Sequence, residues 1–314
     1  MATEPTLHNH LRATERGRHD LSRERDPVGV DRPDEVVSHV AGVVLAGVQP
    51  WGACALEDVT SRALTPVVNR PLISHVLKWL DGSGIRTVSV CSNTCTRELR
   101  QALARSDVPD PVSASMALEF YEDIAPRGPA GCIRDASVHS AHDVFIVVDG
   151  TIVPRLDIVE LLGFHRRSGA SLTVVVSSDV ADVSTGGDAL CPVGIYVFSR
   201  RALEHVPATG YQDIKETLIP RLYQYGESVV TFQMAGAMPR INGVDSYLAV
   251  NDWVLSRSLS DPDEFSEYRT QGDARVHPSA SVDSTVRLIG PILIGEGSTI
   301  GRGATVVGPT TIGS

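Results

Sequence analysis

The chain has 314 residues, is 42% hydrophobic and carries 28 basic against 38 acidic residues, a formal net charge of −10 at pH 7. That length accommodates one large core with an appendage. The acidic balance, with no basic tract in the expected folded part, argues against nucleic acid as a partner. No apolar run reaches the ~18 residues of a membrane span and the N-terminus has no signal-peptide pattern, so a cytoplasmic protein is expected. Of the basic residues, Lys78 and Lys215 are the only lysines. Cys54, Cys91, Cys95, Cys132 and Cys191 lack paired metal-ligand spacing and read as reduced thiols.

Residues 1–38 mix charges with isolated Leu7, Leu11 and Leu21 and read as a disordered arm, in which His8, His10 and His19 are solvated. Over 39–257, short apolar runs alternate with helical stretches, which predicts an α/β domain with a Rossmann-like, mostly parallel sheet flanked by helices. The predicted order, to within a few residues, is strand 42–46, helix 70–82, strand 86–91, helix 96–105, strand 117–121, helix 130–137, strand 143–148, helix 155–168 and strand 171–177. Strand 192–198, helices 199–205 and 211–225, strand 228–233 and helix 243–257 complete it. Polar residues 258–274 read as a linker. From there the period becomes six: Val276, Val282, Leu288, Ile294, Ile300, Val306 and Ile312. Ala280, Val286, Ile292, Ser298, Ala304 and Thr310 come at i+4, the pattern of a hexapeptide-repeat parallel β-helix over 275–314. The last coil has no cap in this sequence, which is expected to favour a homo-oligomer or a protein partner.

The functional reading turns on the segment after the first strand. Val43, Val44 and Leu45 are buried, and Ala46-Gly47 turns the backbone out of the strand's C-terminal end, where open α/β sheets bind ligands. Asn69 and Pro71 then open a helix whose Leu72, Ile73, Val76, Leu77 and Leu80 share one face until Gly82 and Gly84. The stretches Leu45-Ala46-Gly47-Val48-Gln49-Pro50-Trp51-Gly52-Ala53, Ser61-Arg62-Ala63-Leu64-Thr65-Pro66-Val67 and Asn69-Arg70-Pro71-Leu72-Ile73 follow in order, with residues 54–60 and Val68 between them. In frame, this chain resembles the sugar nucleotidyltransferases (NDP-sugar pyrophosphorylases of the mannose-1-phosphate guanylyltransferase kind), to which a left-handed β-helix is often appended. The likeness spans most of residues 41–314.

The family's first stretch reads Leu-Ala-(Ala/Gly)-Gly-x-Gly-Thr-Arg-Leu. Here Val48 and Pro50 replace glycines whose N–H groups approach a triphosphate, and Trp51-Gly52 replaces Thr-Arg. Arg62 stands in the place of the family's first lysine and keeps a cation there with a different geometry. The resemblance implies a nucleotide-binding set of Leu45, Ala46, Gly47, Arg62, Gly128, Ala130, Gly131 and Asp149, and a sugar-side position at Gly194. Arg127-Gly128-Pro129-Ala130-Gly131-Cys132 is similar to a Gly-Thr-Ala-Gly segment that reads a nucleobase edge, although Gly128-Pro129 equally starts a helix. Val193-Gly194-Ile195-Tyr196-Val197-Phe198 resembles the strand beside the sugar site, with Ile195 and Val197 read as core.

The metal positions depart from the family. It holds Mg²⁺ with an Asp after Gly at the end of the central strand, and Phe145-Ile146-Val147-Val148-Asp149-Gly150-Thr151 places Thr151 there. Asp149 is expected roughly 6–7 Å back along the strand. Arg240 stands at the second carboxylate position, where a guanidinium repels Mg²⁺ and can occupy its place. The lysine that grips the sugar phosphate has no counterpart in the short segment before Cys191, and Lys215 reads as a helix-surface residue. No metal ligand and no cofactor is assigned, with Mg²⁺ expected only in an active enzyme.

These residues admit three functions of different classes. The preferred one is a catalytically impaired homologue that binds a nucleotide or nucleotide sugar and serves as a regulator or scaffold in polysaccharide-precursor metabolism. The alternative is an active NTP:sugar-1-phosphate nucleotidyltransferase. The third is a β-helix acyltransferase, for which His277 is the one histidine in the repeats.

Overall fold

A strand covered on both faces must be apolar at every position. The strand Val40–Leu45 (β1) meets this condition: Val40 and Val44 are buried in one cluster, Ala41 and Val43 in another on the opposite face. The computed structural model describes residues 36–47, 61–93, 96–104, 116–123, 126–178, 190–261 and 264–313. A two-stranded hairpin, β2 (Pro66–Val67) and β3 (Arg70–Pro71), comes after β1. The main sheet continues with β4 (Thr87–Ser92), β5 (Ala117–Glu122), β6 (Val144–Asp149), β7 (Leu172–Ser177), β8 (Cys191–Ser199) and β9 (Val229–Gln233). Its seven strands are ordered β5-β4-β1-β6-β8-β7-β9.

Every neighbouring pair in this sheet is parallel except the two that β8 makes. The chain lays β4 and β5 outward on one side of β1 and then places β6 on the other side. Strand order therefore reverses at β1 and β6, and beyond their C-terminal ends an open sheet leaves a crevice.

The described helices are α1 (Leu72–Gly82), α2 (Thr96–Ala104), α3 (Gly128–Ser137), α4 (Ile158–Ser168), α5 (Arg200–Glu204), α6 (Ile219–Gln224) and α7 (Val244–Ser260). Residues of α1, α2 and α4 pack on the face of β1 that carries Val40 and Val44, and residues of α3, α5 and α6 on the other. Gly42 makes the close approach of α1 possible, since a Cβ there would lie 3.2 Å from Leu80 and 3.0 Å from Val88. None of the described helices is long and apolar enough to cross a membrane.

Three expectations need correction. Val36 and Val37, assigned to the arm, are buried in the core, and Val37 packs against Gly84; residues 1–35 lie outside the described part. The helix expected over 211–225 divides into a wide π-type turn, Ile214–Leu218, and α6. Pro220 has no N–H and its ring crowds the carbonyl four residues back, so the preceding turn opens and Leu218 N–H reaches Asp213 O at 3.0 Å. The segment expected as a linker is anchored at particular points: α7 runs to Ser260, Phe265 and Tyr268 are buried, and Glu264 binds both Arg70 and Lys78, while most of its other described residues are exposed.

The C-terminal part consists of β10 (Arg269–Gln271), β11 (Ala274–Val276), β12 (Ser281–Val282), β13 (Arg287–Ile289), β14 (Ile292–Ile294), β15 (Thr299–Ile300), β16 (Thr305–Val307) and β17 (Thr310–Ile312). Apart from the β10–β11 hairpin, pairing is parallel. Ala274 faces Ile292 and Ile292 faces Thr310, a step of 18 residues or three hexads. The same step relates β12 to β15 and β13 to β16. The period-six residues Val276, Val282, Leu288, Ile294, Ile300, Val306 and Ile312 all join one apolar cluster.

This packing has two measurable outcomes. Ile292 is fully buried, so Ile292→Ala should cost about 2–5 kcal/mol in urea unfolding. His165 is buried, with Nδ1 2.8 Å from Thr173 Oγ1 and Nε2 3.0 Å from Ser199 Oγ, and burial followed by the charges of Arg201 and Arg166 lowers its pKa to about 4. The folded chain keeps this ring neutral while the unfolded chain takes up a proton below pH ~6.5, so stability should fall between pH ~6.5 and ~4, by up to ~1.4 kcal/mol per pH unit from this group. His165→Gln should lose that part of the pH slope in denaturation curves at pH 7, 6 and 5.

Candidate functional site

The site is assembled at the ends of β1 and β6. Gly150 N–H donates to Leu45 O at 3.0 Å, and a Cβ on Gly150 would come within 3.1 Å of that oxygen. Asp149 Oδ1 accepts from the Thr151 N–H (3.0 Å) and the Thr151 hydroxyl (2.7 Å). This Asx-type turn folds Thr151 back onto Asp149. The two are therefore in contact, not separated along a straight strand as expected.

Residues 151–153 pair with 239–241: Ile152 bridges Arg240, Val153 N–H donates to Pro239 O (2.9 Å) and Ile241 N–H to Thr151 O (3.1 Å). That pairing lays Arg240 across the end of β6. Its Nη1 donates to Asp149 Oδ2 (2.6 Å) and Thr151 Oγ1 (3.2 Å), and its Nη2 to Val193 O (3.0 Å). The surface beneath is a bulge in β8, where Val174 faces Tyr196 but Val176 faces Pro192. Gly194 occupies the bulge with φ +88°, and a Cβ there would lie 2.3 Å from Arg240 Nη2. Gly194, expected on the sugar side, thus forms the floor under the guanidinium.

Mg²⁺ asks for several hard oxygen donors in octahedral order. This position offers one carboxylate bonded through both oxygens, one hydroxyl and a fixed positive charge, so the residues present do not fit the ion that the resemblance implies. Among the described residues no group of three or more His, Cys, Asp or Glu is placed to hold a metal.

A cleft of about 530 Å³ opens here, lined by Leu45, Gly47, Gly128, Asp149, Thr151, Gly194 and Arg240 among others. Ala46, Arg62, Ala130 and Gly131 do not line it. Ala46 is buried and its N–H donates to Cys91 O at 2.8 Å, while Arg62 opens the 3-10 turn Arg62–Leu64. At the start of α3, Ala130 N–H donates to Gln212 O (3.0 Å) and Gln212 N–H to Arg127 O (2.7 Å). A Cβ on Gly128 would lie 2.6 Å from Gln212 O, and one on Gly131 would lie 2.7 Å from Arg127 Cβ. The Gly-Pro-Ala-Gly stretch is thus built for close packing and a helix start, and its Ala130 N–H is already engaged.

The opposite wall escaped the sequence reading. It includes Tyr211, Asp213, Lys215 and Glu216, so Lys215 faces the cleft although it was expected on a plain helix surface. Arg127 holds this wall through Nη1 to Gly210 O (3.2 Å) and Nη2 to Pro207 O (3.0 Å), with its Nε on Asp135 (2.9 Å). Asp213 Oδ1 accepts from the N–H groups of Lys215 (2.6 Å) and Glu216 (2.9 Å). The N-cap spacing of Asp213 to Glu216 was the signal available, but which helix start borders the cleft is decided by topology. On the floor, Cys132 Sγ lies 3.2 Å from Asp123 Oδ2, and burial pushes the thiol up to about 12, so it stays protonated. The lining's charged residues are Asp123, Asp149, Asp213 and Glu216 against Lys215 and Arg240, four against two, a formal charge of −2 among the described residues. Residues 48–60, which hold the Val48, Pro50 and Trp51 replacements, lie outside the described part.

No protein-family model matches the chain. Similarity is instead found with individual proteins over about three quarters of their length. Mannose-1-phosphate guanylyltransferase of Mycobacterium tuberculosis is 22% identical over 289 residues, 86% of this chain and 79% of that protein. A putative mannose-1-phosphate guanyltransferase of Sulfolobus acidocaldarius is 24% identical, covering 85% and 74%, and glucose-1-phosphate thymidylyltransferase of Streptomyces griseus is 25% identical, covering 87% and 77%. Among solved structures, HddC from Yersinia pseudotuberculosis superposes with a TM-score of 0.58 at 15% identity, over 68% of this chain and 99% of that one. A putative glucose-1-phosphate thymidylyltransferase from Bacillus anthracis does so with a TM-score of 0.56 at 14% identity, over 68% and 94%. The chain thus shares its α/β fold with these solved structures and is similar in sequence, over most of its length, to sugar-1-phosphate nucleotidyltransferases.

Proposed function

We propose that the chain binds a nucleotide or nucleotide sugar in the cleft at the ends of β1 and β6 without performing metal-dependent nucleotidyl transfer, and serves as a regulator or scaffold beside the enzymes that do. The observation that carries this reading is the Arg240 guanidinium bonded to Asp149 and Thr151, with Gly194 shaped beneath it. Transfer of a nucleotidyl group to a sugar 1-phosphate expels pyrophosphate, whose charge has to be stabilised as it develops. At this position the carboxylate that would recruit a divalent cation is bonded to an arginine instead. Losing one such stabiliser typically costs ~10²–10³ in rate, and several that act as a unit leave little behind.

The active-enzyme alternative is supported by the names of the relatives and the intact sheet topology. It would need positive charge from Arg62, since residues 48–60 carry no Lys or Arg. His277 bonds Ser279 and packs edge-on against Tyr268, which favours no acyl-transfer role. We read residues 274–313 as coils of a left-handed β-helix and as the surface for a second copy or a protein partner. The exposed and register-paired Ile289 and Val307 support this reading. The free thiols of Cys91, Cys132 and Cys191 suit a reducing, cytoplasmic setting.

Thermal-shift titration with nucleotide sugars should raise the unfolding temperature equally with Mg²⁺ and with EDTA, since a ligand at ~100 times its Kd adds about 2.7 kcal/mol. Mg²⁺-dependent pyrophosphate release well above background would overturn the non-catalytic reading in favour of the enzyme. Gly194→Ala should cost about 1–3 kcal/mol in urea unfolding, because it strains the left-handed backbone and displaces the guanidinium. An unchanged midpoint would show that Arg240 does not rest on residue 194.

A further inference from the structure

We infer that the Asp149–Arg240 pair makes the cleft a charge filter, one that accepts the diphosphate of a nucleotide sugar and turns away a nucleoside triphosphate, with no divalent cation required. The inference rests on the binding function proposed above and adds which of two nucleotide classes the cleft takes.

The arginine of the cleft is already engaged within the protein. Arg240 directs Nη1 to Asp149 and Thr151 and Nη2 to Val193 O, so its charge is matched by the carboxylate before any ligand arrives. The other lining cation, Lys215, stands in sequence between Asp213 and Glu216, which line the same wall. Asp123 and Asp213 are satisfied by N–H and S–H donors and not by cations among the bonds described: Asp123 accepts from Arg127 N (2.9 Å) and Cys132 Sγ, and Asp213 from two backbone N–H groups. Such donors meet the carboxylates' hydrogen-bonding needs but leave the formal −2 of the lining in place.

A triphosphate carries roughly twice the negative charge of a nucleotide sugar's diphosphate. In the absence of a site for a divalent cation, that surplus meets a net-negative wall, and each extra charge within a few ångströms costs on the order of tenfold in affinity. The sugar ring adds neutral, hydrogen-bonding bulk instead, and a cleft of about 530 Å³ has the size of a site for a ligand of this kind. Asp149 is the lever in this arrangement: with a neutral amide in its place, the guanidinium regains its full charge toward phosphate.

The test is isothermal titration calorimetry on the full chain in EDTA, with GTP, UTP and dTTP against GDP-mannose, UDP-glucose and dTDP-glucose. At low salt the best nucleotide sugar should bind at least tenfold tighter than its matching triphosphate. The ratio should narrow severalfold in 0.5 M KCl, where charges are screened, and in Asp149→Asn, where triphosphate binding should strengthen most. The salt series keeps the test decisive even if the variant fails to fold. A triphosphate binding in EDTA as tightly as its nucleotide sugar, or a ratio that ignores both salt and Asp149→Asn, would overturn the inference while leaving nucleotide binding intact. If no nucleotide of either class binds wild type or variant, the binding function itself falls, and this inference with it.

Discussion

A guanidinium stays protonated at any pH at which a protein is folded, so a fold that draws one into a cleft has to surround it with acceptors. Arg240 receives them from the end of β6, in Asp149 and Thr151, and from Val193 in β8. This requirement connects features that are otherwise unrelated in sequence. The turn after Asp149 presents the carboxylate and the hydroxyl together. The bridge between 151–153 and 239–241 delivers the arginine. The bulge in β8, with Gly194 in the left-handed region, clears the space it lies in. Any Cβ at residue 194 would collide with it.

A second arginine organises the facing wall. Arg127 binds Asp135 while its remaining donors and its own carbonyl hold the segment from Pro207 to Gln212. Both arginines thus have their charges matched inside the protein, and the lining keeps four carboxylates against Lys215 and Arg240. A third feature joins the cleft domain to the repeats. Val68 and Asn69 both have positive φ, 50° and 61°, in the two-residue turn between β2 and β3, a conformation that suits Asn and strains a β-branched Val. Val68 N–H is held by Asn251 Oδ1 at 3.0 Å and Asn69 Nδ2 by Ile312 O at 2.9 Å. Val67, Leu72, Val254, Phe265 and Leu293 close a common apolar cluster around the junction.

The elements themselves were legible in the sequence. The strand ending in Asp149, the helix from Leu72 and the hexad ladder from Val276 all lie within a few residues of their expected places, because burial on both faces, on one stripe or on every sixth residue leaves a direct hydrophobic record. Where the reading failed, it failed for identifiable reasons. Pro220 shifted a helix start, and Phe265 and Tyr268 are buried within a segment whose composition is polar. Ala130, named in the nucleotide-binding set, donates its N–H to Gln212, a residue 82 positions away. Lys215 gained a place in the cleft from a turn that only Arg127 and Asp213 define.

By itself, then, the sequence determined the α/β layering and the period-six stacking, since these depend on residue type and local spacing. The tertiary structure decided what became of the charges. Asp149 and Arg240 are 91 residues apart, and whether they would meet, repel a ligand together or leave a gap could not be read from spacing along the chain. Their contact results from the order in which β1, β6 and β8 lie side by side. An ion pair needs its two groups within a few ångströms, and only the path of the whole backbone sets that distance.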